Sequence, residues 1–238
     1  MIVVTCEQNS PDWFAARRGI PTASRFKNIL TPKTLKLSAS SIEYRHELLA
    51  EWMSGATEDG YQSYAMTDGF LRQPQAMLWY EATQGVDVEP VGFCFRDERR
   101  LVGCSPDALV GEDGGMEIKC PKGKAQVATL LTGVMPPEHI PQVQGCLWVT
   151  SRKWWDFVSF HPLLPTFMAR IEPDPEYQAA LDAAIPAFIA EMLDGRVMLL
   201  EQYGIEPKRG HGMSEEEHAE WMRRYLAGEP MAAKEVVP

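Results

Sequence analysis

The sequence predicts a single domain of α+β or mixed α/β class, and three observations point there. Apolar residues recur at helical spacing in three long stretches, a group of short apolar and β-branched runs lies between them, and no low-complexity linker or internal repeat divides the chain. With 238 residues and 45% hydrophobic content, the chain can bury a full core.

Residues 40–54 predict the first helix: Ser40 and Glu43 have capping-box spacing, Leu48, Leu49, Trp52 and Met53 form one apolar stripe, and Gly55 suits the position after the last turn. That stripe reads as core. A second helix is expected from about 68 or 69 to 84, ending at Gly85, with Ala76, Met77 and Tyr80 inward and Pro74 close to its start. A proline deeper inside would kink it. The runs VGFCF (91–95), LVGC (101–104), ALVG (108–111) and MEIKC (116–120) read as a meander of strands, with EDGG (112–115) as a hairpin turn. A helix around 142–150 and a strand over WWDFVSF (154–160) follow. From 174 or 175 to 195, Leu181, Ala184, Ile185, Phe188, Ile189, Met192 and Leu193 form the face of a helix expected to bend at Pro186 and pack on the sheet. The tail from 196 is polar, and SEEEHAEWMRRYL suggests one more amphipathic helix with Ser214 as N-cap.

Composition excludes several classes. No apolar run reaches the ~18 residues of a membrane span, and MIVVTCEQNSPDW lacks the basic and apolar regions of a signal peptide, so a soluble intracellular protein without membrane contact is expected. Five cysteines without CxxC spacing and five histidines without ligand spacing argue against a disulfide framework, a zinc site or an iron–sulfur cluster. The net charge of −10 argues at first against nucleic acid, but residues 1–45 hold seven basic side chains against three acidic ones. Charge alone leaves this segment either a groove-facing patch or a solvated face. Trp148, Trp154 and Trp155 fit packing better than base stacking.

The stretch GCSPDALVGEDGGMEIKCPKGK (103–124) carries the chemistry. In a strand, residues two apart share a face, so Glu117 and Lys119 lie side by side while Ile118 points into the core. A hairpin brings Asp107 back beside them. Two carboxylates, a backbone carbonyl and waters suit Mg²⁺, which keeps much of its hydration and seeks phosphate oxygens. Lys119 would then hold or help deprotonate an attacking water and stabilise developing charge. On its own, Glu-x-Lys is also what an ordinary surface strand shows.

Pro-Asp, a hairpin, then Glu-apolar-Lys running into KCPKGK resembles the signature of the PD-(D/E)xK nuclease superfamily. Five further blocks, in order, resemble one branch of it, the phage recombination exonucleases typified by lambda exonuclease and grouped as YqaJ-like viral recombinases: WFAARRGIPTAS (13–24), CSPDALV (104–110), MEIKCP (116–121), PQVQGCLWVT (141–150) and IPAFIAEM (185–192). The resemblance implies a restriction-endonuclease-like core, a central mixed β-sheet flanked by helices, over about 12–195, with a helical tail over 196–238. It implies Asp107, Glu117 and the Ile118 carbonyl as ligands of Mg²⁺, with Mn²⁺ as substitute, Lys119 as the catalytic lysine, and Gln144 orienting water or phosphate. It implies Arg17 as receiver of a 5′ phosphate, because a guanidinium offers bidentate recognition. Thr22, Ser24 and Ser105, with Arg25 and Lys33, become phosphate or DNA contacts. It further implies a homotrimeric ring that digests one strand of duplex DNA from its 5′ end, a single-strand annealing partner, and phage or prophage origin in a bacterial cytoplasm. One departure stands out. Where the family has Gly-x3-Glu-x2-Ala, this chain has Gly69, Gln73 and Ala76, so a weaker neutral amide replaces a carboxylate. A restriction endonuclease or junction resolvase, or a non-catalytic DNA-end-binding scaffold, remains open at this point.

Overall fold

The computed structural model describes residues 1–57, 64–204 and 223, with 64–70 as backbone. Within them, seven strands are β1 (Ile2–Val4), β2 (Phe93–Phe95), β3 (Gly103–Cys104), β4 (Ala108–Val110), β5 (Gly114–Lys119), β6 (Trp154–Ser159) and β7 (Phe167–Ile171). The α-helices are α1 (Pro11–Arg17), α2 (Ser41–Ser54), α3 (Tyr64–Gln84), α4 (Gly123–Thr132), α5 (Ile140–Thr150) and α6 (Pro175–Tyr203). The expected tail helix at Ser214 lies outside the described residues.

The strands divide into two sheets. The central sheet has the order β4-β5-β6-β7 and is mixed: β5 pairs with β6 in parallel, and both outer pairings are antiparallel. A parallel neighbour needs a crossover, and α4 and α5 supply it. One face packs on α3 through Ala76, Tyr80, Met116, Ile118 and Val158. The other packs on α5 and α6 through Val143, Leu147, Trp155, Phe157, Leu181 and Ile185. A sheet with helices on both faces buries both sets of alternating side chains, at about 1.5–3 kcal/mol for each large apolar one. Strands β1, β2 and β3 form a separate antiparallel sheet. The four runs expected as one meander are therefore split between two sheets.

Several expectations need correction. The capping box at Ser40 and Glu43 does not form; the Ser40 hydroxyl pairs with Ser38 instead, while Gly55 does take the left-handed conformation. Helix α3 begins at Tyr64, so Pro74 falls in its interior, where it removes one backbone donor. EDGG is not the turn. The turn occupies 111–113, and both following glycines are inside β5. A Cβ at Gly114 would come 2.1 Å from the Trp154 ring, and one at Gly115 2.2 Å from that of Trp155, so the glycines let β6 lay its tryptophans against β5. Helix α6 packs as expected, sharing one buried cluster with Trp155 and Phe157 of β6 while also lying against α2 and α5. It is capped by Asp174, whose carboxylate accepts from Glu176 N and Tyr177 N, and it continues past Gly195 with Arg196 fully buried.

No helix among the described residues is long and apolar enough to cross a membrane. All five cysteines are free thiols.

Candidate active site

The hairpin register builds the site. Ala108 lies opposite Met116, and Asp107 N donates to Met116 O at 3.2 Å, so one further step sets Asp107 opposite Glu117. The Asp107 carboxylate accepts from Ile118 N through Oδ2 and from Gln73 Nε2 through Oδ1, the latter at 2.6 Å. Thus α3 delivers Gln73 to the carboxylates. Lys119 Nζ lies 2.6 Å from Glu117 Oε1 and donates to Gln142 Oε1 at 3.1 Å. Glu117 is 2% exposed, and its Oε2 is buried with no hydrogen-bond partner.

Electrostatics follow from that crowding. Burial, reinforced by Glu117 alongside, pushes the Asp107 carboxyl up to about 8, against the opposing pull of Lys119, the Ile118 N–H and Gln73. For Lys119, burial disfavours the charged form, but Glu117 and Asp107 outweigh it and hold the ammonium above its ordinary pKa. Two buried carboxylates share one ammonium, so Asp107 keeps its proton below about pH 8 and only a further positive charge would let both carboxylates ionise together. A cation answers that need: the orphaned Glu117 Oε2 and the Asp107 carboxylate are hard oxygen donors on adjacent strands. Among the described residues, no three His, Cys, Asp or Glu side chains converge on one point. A cation here would therefore complete its shell with neutral oxygens, water and phosphate, which suits Mg²⁺.

Gln144, expected at this site, is elsewhere. Its Nε2 donates to Glu172 O at 2.9 Å and its Oε1 accepts from Asp174 N at 3.0 Å and Gln178 Nε2 at 2.8 Å, tying α5 to the start of α6. The residue that reaches Lys119 is Gln142, two positions earlier. In a helix two residues apart are turned by about 200°, so only one of the pair can face the strand end. The sequence motif PQVQ does not say which.

The N-terminal residues gather on a neighbouring wall. Arg17, at the end of α1, sits with its guanidinium 4.1 Å from the centre of the Trp13 ring. Trp13 Nε1 donates to Ser105 Oγ at 2.9 Å, two residues before Asp107. Thr22 N donates to the Tyr44 hydroxyl at 3.2 Å, and the Thr22 and Ser24 hydroxyls lie 3.3 Å apart. Gly19, left-handed at φ +68°, donates its N–H to Glu51 Oε2 and accepts from Arg196, which fixes the turn after Arg17. Burial lowers the Arg17 pKa, with Tyr44 and Glu51 opposing. Arg17 makes no hydrogen bond or ion pair to any described residue. Arg25 differs: it forms a two-pronged bridge to Glu47 at 2.8 and 2.6 Å and lies over the Tyr44 ring, so its donors are engaged within the protein. Lys33 is exposed on the loop before Leu37. Sequence reasoning missed Trp13, Tyr44, Glu51 and Gln142. For Trp13 a signal existed, since Trp-x3-Arg is the i, i+4 spacing that stacks a guanidinium on a ring. A cleft of about 230 Å³ opens beside Asp107 and Gln73, bounded by Gln8, Met77 and Val91. Gln8 Nε2 holds one rim by donating to Val91 O and Pro106 O. Of the three tryptophans, Trp155 is fully buried, Trp148 donates to Asp182, and Trp154 packs under Arg170; these are packing roles.

The mixed sheet and its Asp107, Glu117, Lys119 cluster define a PD-(D/E)xK nuclease fold. Residues 12–153 match the YqaJ-like viral recombinase domain, and the chain belongs to that family. It is similar to the alkaline exonuclease LHK-Exo from Laribacter hongkongensis, at 34% identity over 82% of this chain and 98% of that one, with a TM-score of 0.73. LHK-Exo in complex with dAMP matches at 35% identity, the same coverage and TM-score 0.73. A phage-related exonuclease from Haemophilus somnus 129PT shares the fold at 13% identity, covering 76% of this chain and 96% of that one, with TM-score 0.56. No curated protein matches the chain.

Proposed function

We propose that the protein is a metal-dependent 5′-to-3′ exonuclease that degrades one strand of linear duplex DNA from a 5′-phosphorylated end, leaving 3′ single-stranded tails for recombination by annealing. The observation that carries this reading is Glu117 opposite Asp107, with its Oε2 buried and partnerless and its Oε1 2.6 Å from the Lys119 ammonium. Asp107, Glu117 and the Ile118 carbonyl would hold Mg²⁺, or Mn²⁺ in its place. The bound ion would polarise the scissile phosphate and acidify a water. Lys119, kept as an ammonium by Glu117 and steadied by Gln142, would donate a hydrogen bond that holds the water or the phosphate in place and would stabilise the charge growing on phosphorus-bound oxygens. Arg17 would receive the terminal phosphate, a reading supported by its unspent donors, with Thr22, Ser24 and Ser105 as further phosphate hydrogen-bonders; Ser105 is tied to Arg17 through Trp13. Arg25, already bridged to Glu47, serves the field of the groove more than a direct contact. A homotrimeric ring, a single-strand annealing partner and a bacterial cytoplasm complete the proposal, the first testable by light scattering.

Closed circular and linear duplexes separate this reading from a restriction endonuclease or resolvase. In Mg²⁺ the linear form should be consumed from its ends and the circle left intact; cutting of the circle would refute an exonuclease.

One observation favours a second reading, a DNA-end-binding protein of weak catalysis. Gln73 spends its amide N–H on Asp107 Oδ1, a position where a carboxylate would instead add charge for a cation. End binding with no metal-dependent cleavage, before and after Gln73→Glu, would establish it.

A further inference from the structure

The terminal-phosphate wall and the carboxylate cluster sit on different parts of the fold. Arg17 ends α1, which packs on the β1-β2-β3 sheet through Trp13 and Ala16, whereas Asp107 and Glu117 belong to the central sheet. An enzyme that measures from a terminal phosphate to a scissile bond needs a rigid connection between the two. Trp13 makes one. It is 7% exposed, its backbone N–H is capped by Ser10, its ring carries the Arg17 guanidinium at 4.1 Å, and its Nε1 reaches Ser105 Oγ at 2.9 Å. Ser105 is followed by Pro106, which fixes its own φ and restricts Ser105, and then by Asp107.

The indole bond also has a direction. An indole N–H can only donate, so Ser105 Oγ must act as acceptor there, and its own O–H is left to donate elsewhere. A phosphate oxygen is an acceptor only. The bond to Trp13 therefore orients Ser105 as a phosphate donor.

We infer that Trp13 is a positioning residue for terminal-phosphate recognition: its ring sets the Arg17 guanidinium, and its N–H polarises and fixes the Ser105 hydroxyl at a set distance from Asp107. The inference rests on the reading of Arg17 as the 5′-phosphate receiver. Its observable is selectivity, the ratio of degradation rates on 5′-phosphorylated and 5′-hydroxyl ends of one duplex.

The test measures that ratio for the parent chain, Trp13→Phe, Ser105→Ala and the double variant, with Trp13→His as a conservative replacement that keeps a ring N–H. Phenylalanine keeps the ring under Arg17 and deletes the donor, so the ratio should fall by about two- to tenfold, the range of one net hydrogen bond. Ser105→Ala, which leaves the core untouched, should lower it similarly. In the double variant the two losses should fail to multiply, because both delete the same bond, and Trp13→His should recover part of the ratio. Equal slowing on both kinds of end by Trp13→Phe would show a merely structural tryptophan and overturn the inference, as would losses that multiply in the double variant. A parent chain indifferent to the 5′ phosphate would instead overturn the terminal-phosphate reading itself, and this inference with it.

Discussion

If Asp107 holds a cation as proposed, its burial couples cation binding to pH strongly enough to be read as a melting temperature. Its folded pKa, about 8, lies above the ~4 of an unfolded aspartate. A carboxyl shifted in that direction contributes stability that is fully present below ~4 and is lost as pH rises through about 8. A divalent cation bound to the ionised carboxylate must displace that proton, so its apparent affinity should weaken as pH falls below 8, approaching about tenfold for each unit. Between pH 8, where the carboxyl is half ionised, and pH 6 this is about 50-fold, or roughly 2.3 kcal/mol less stabilisation at a fixed excess of Mg²⁺. For a domain of this size 1 kcal/mol moves Tm by about 2–4 °C, so the Mg²⁺-induced rise in Tm should be roughly 5–9 °C larger at pH 8 than at pH 6. The assay is thermal unfolding with Mg²⁺ or with chelator across pH 6–9. Asp107→Asn should abolish the Mg²⁺ response and remove the metal-free protein's loss of stability towards pH 8. An equal Mg²⁺-induced rise at pH 6 and pH 8 would refute Asp107 as a proton-linked ligand.

Gln73→Glu should raise turnover in Mg²⁺, because it replaces an amide by a carboxylate next to Asp107; an equal or lower rate would sink that expectation. Gln142→Ala should slow cleavage by roughly tenfold or more by loosening Lys119 while barely changing Tm. Gln144→Ala should do the reverse, costing about 2–3 kcal/mol of stability by stranding Asp174 N and Glu172 O; a catalytic defect at unchanged Tm would restore Gln144 to the site. Gly115→Ala should destabilise by about 1–3 kcal/mol or more through collision with Trp155, seen in denaturant melts as a lower midpoint at unchanged slope.

What was legible in the sequence is what period and chain direction control. Glu117 and Lys119 share a face because strands alternate, and Asp107 meets them because the turn is short. Helix α6 announced itself through its apolar repeat, and Gly55 and Gly85 marked helix ends where the structure has left-handed residues. Side-chain choice between near-equivalent positions was not legible. Gln142 and Gln144 differ only in which direction α5 presents them, and that is set by packing of Val143, Cys146 and Leu147 against the core. The glycine pair at 114 and 115 carries a turn signal locally, yet its reason is tertiary: two tryptophan rings from the next strand occupy the missing Cβ positions. Strands β1 and β7 escaped notice because each is short and only partly buried, without strict alternation of apolar and polar residues. Arg25 illustrates a further limit. A basic residue in a basic segment reads as available, while Glu47 on α2, 22 positions away, already holds it.

The most direct test of the site is digestion of a linear duplex with a single 5′ phosphate and each strand separately labelled, in Mg²⁺ and in chelator, by the parent chain and by Lys119→Ala. Loss of only the 5′-phosphorylated strand, abolished both by chelation and by Lys119→Ala with end binding intact, is the predicted result. Cleavage that persists in chelator, or that survives removal of the Lys119 ammonium, would contradict the assignment of Asp107, Glu117 and Lys119 as the hydrolytic centre.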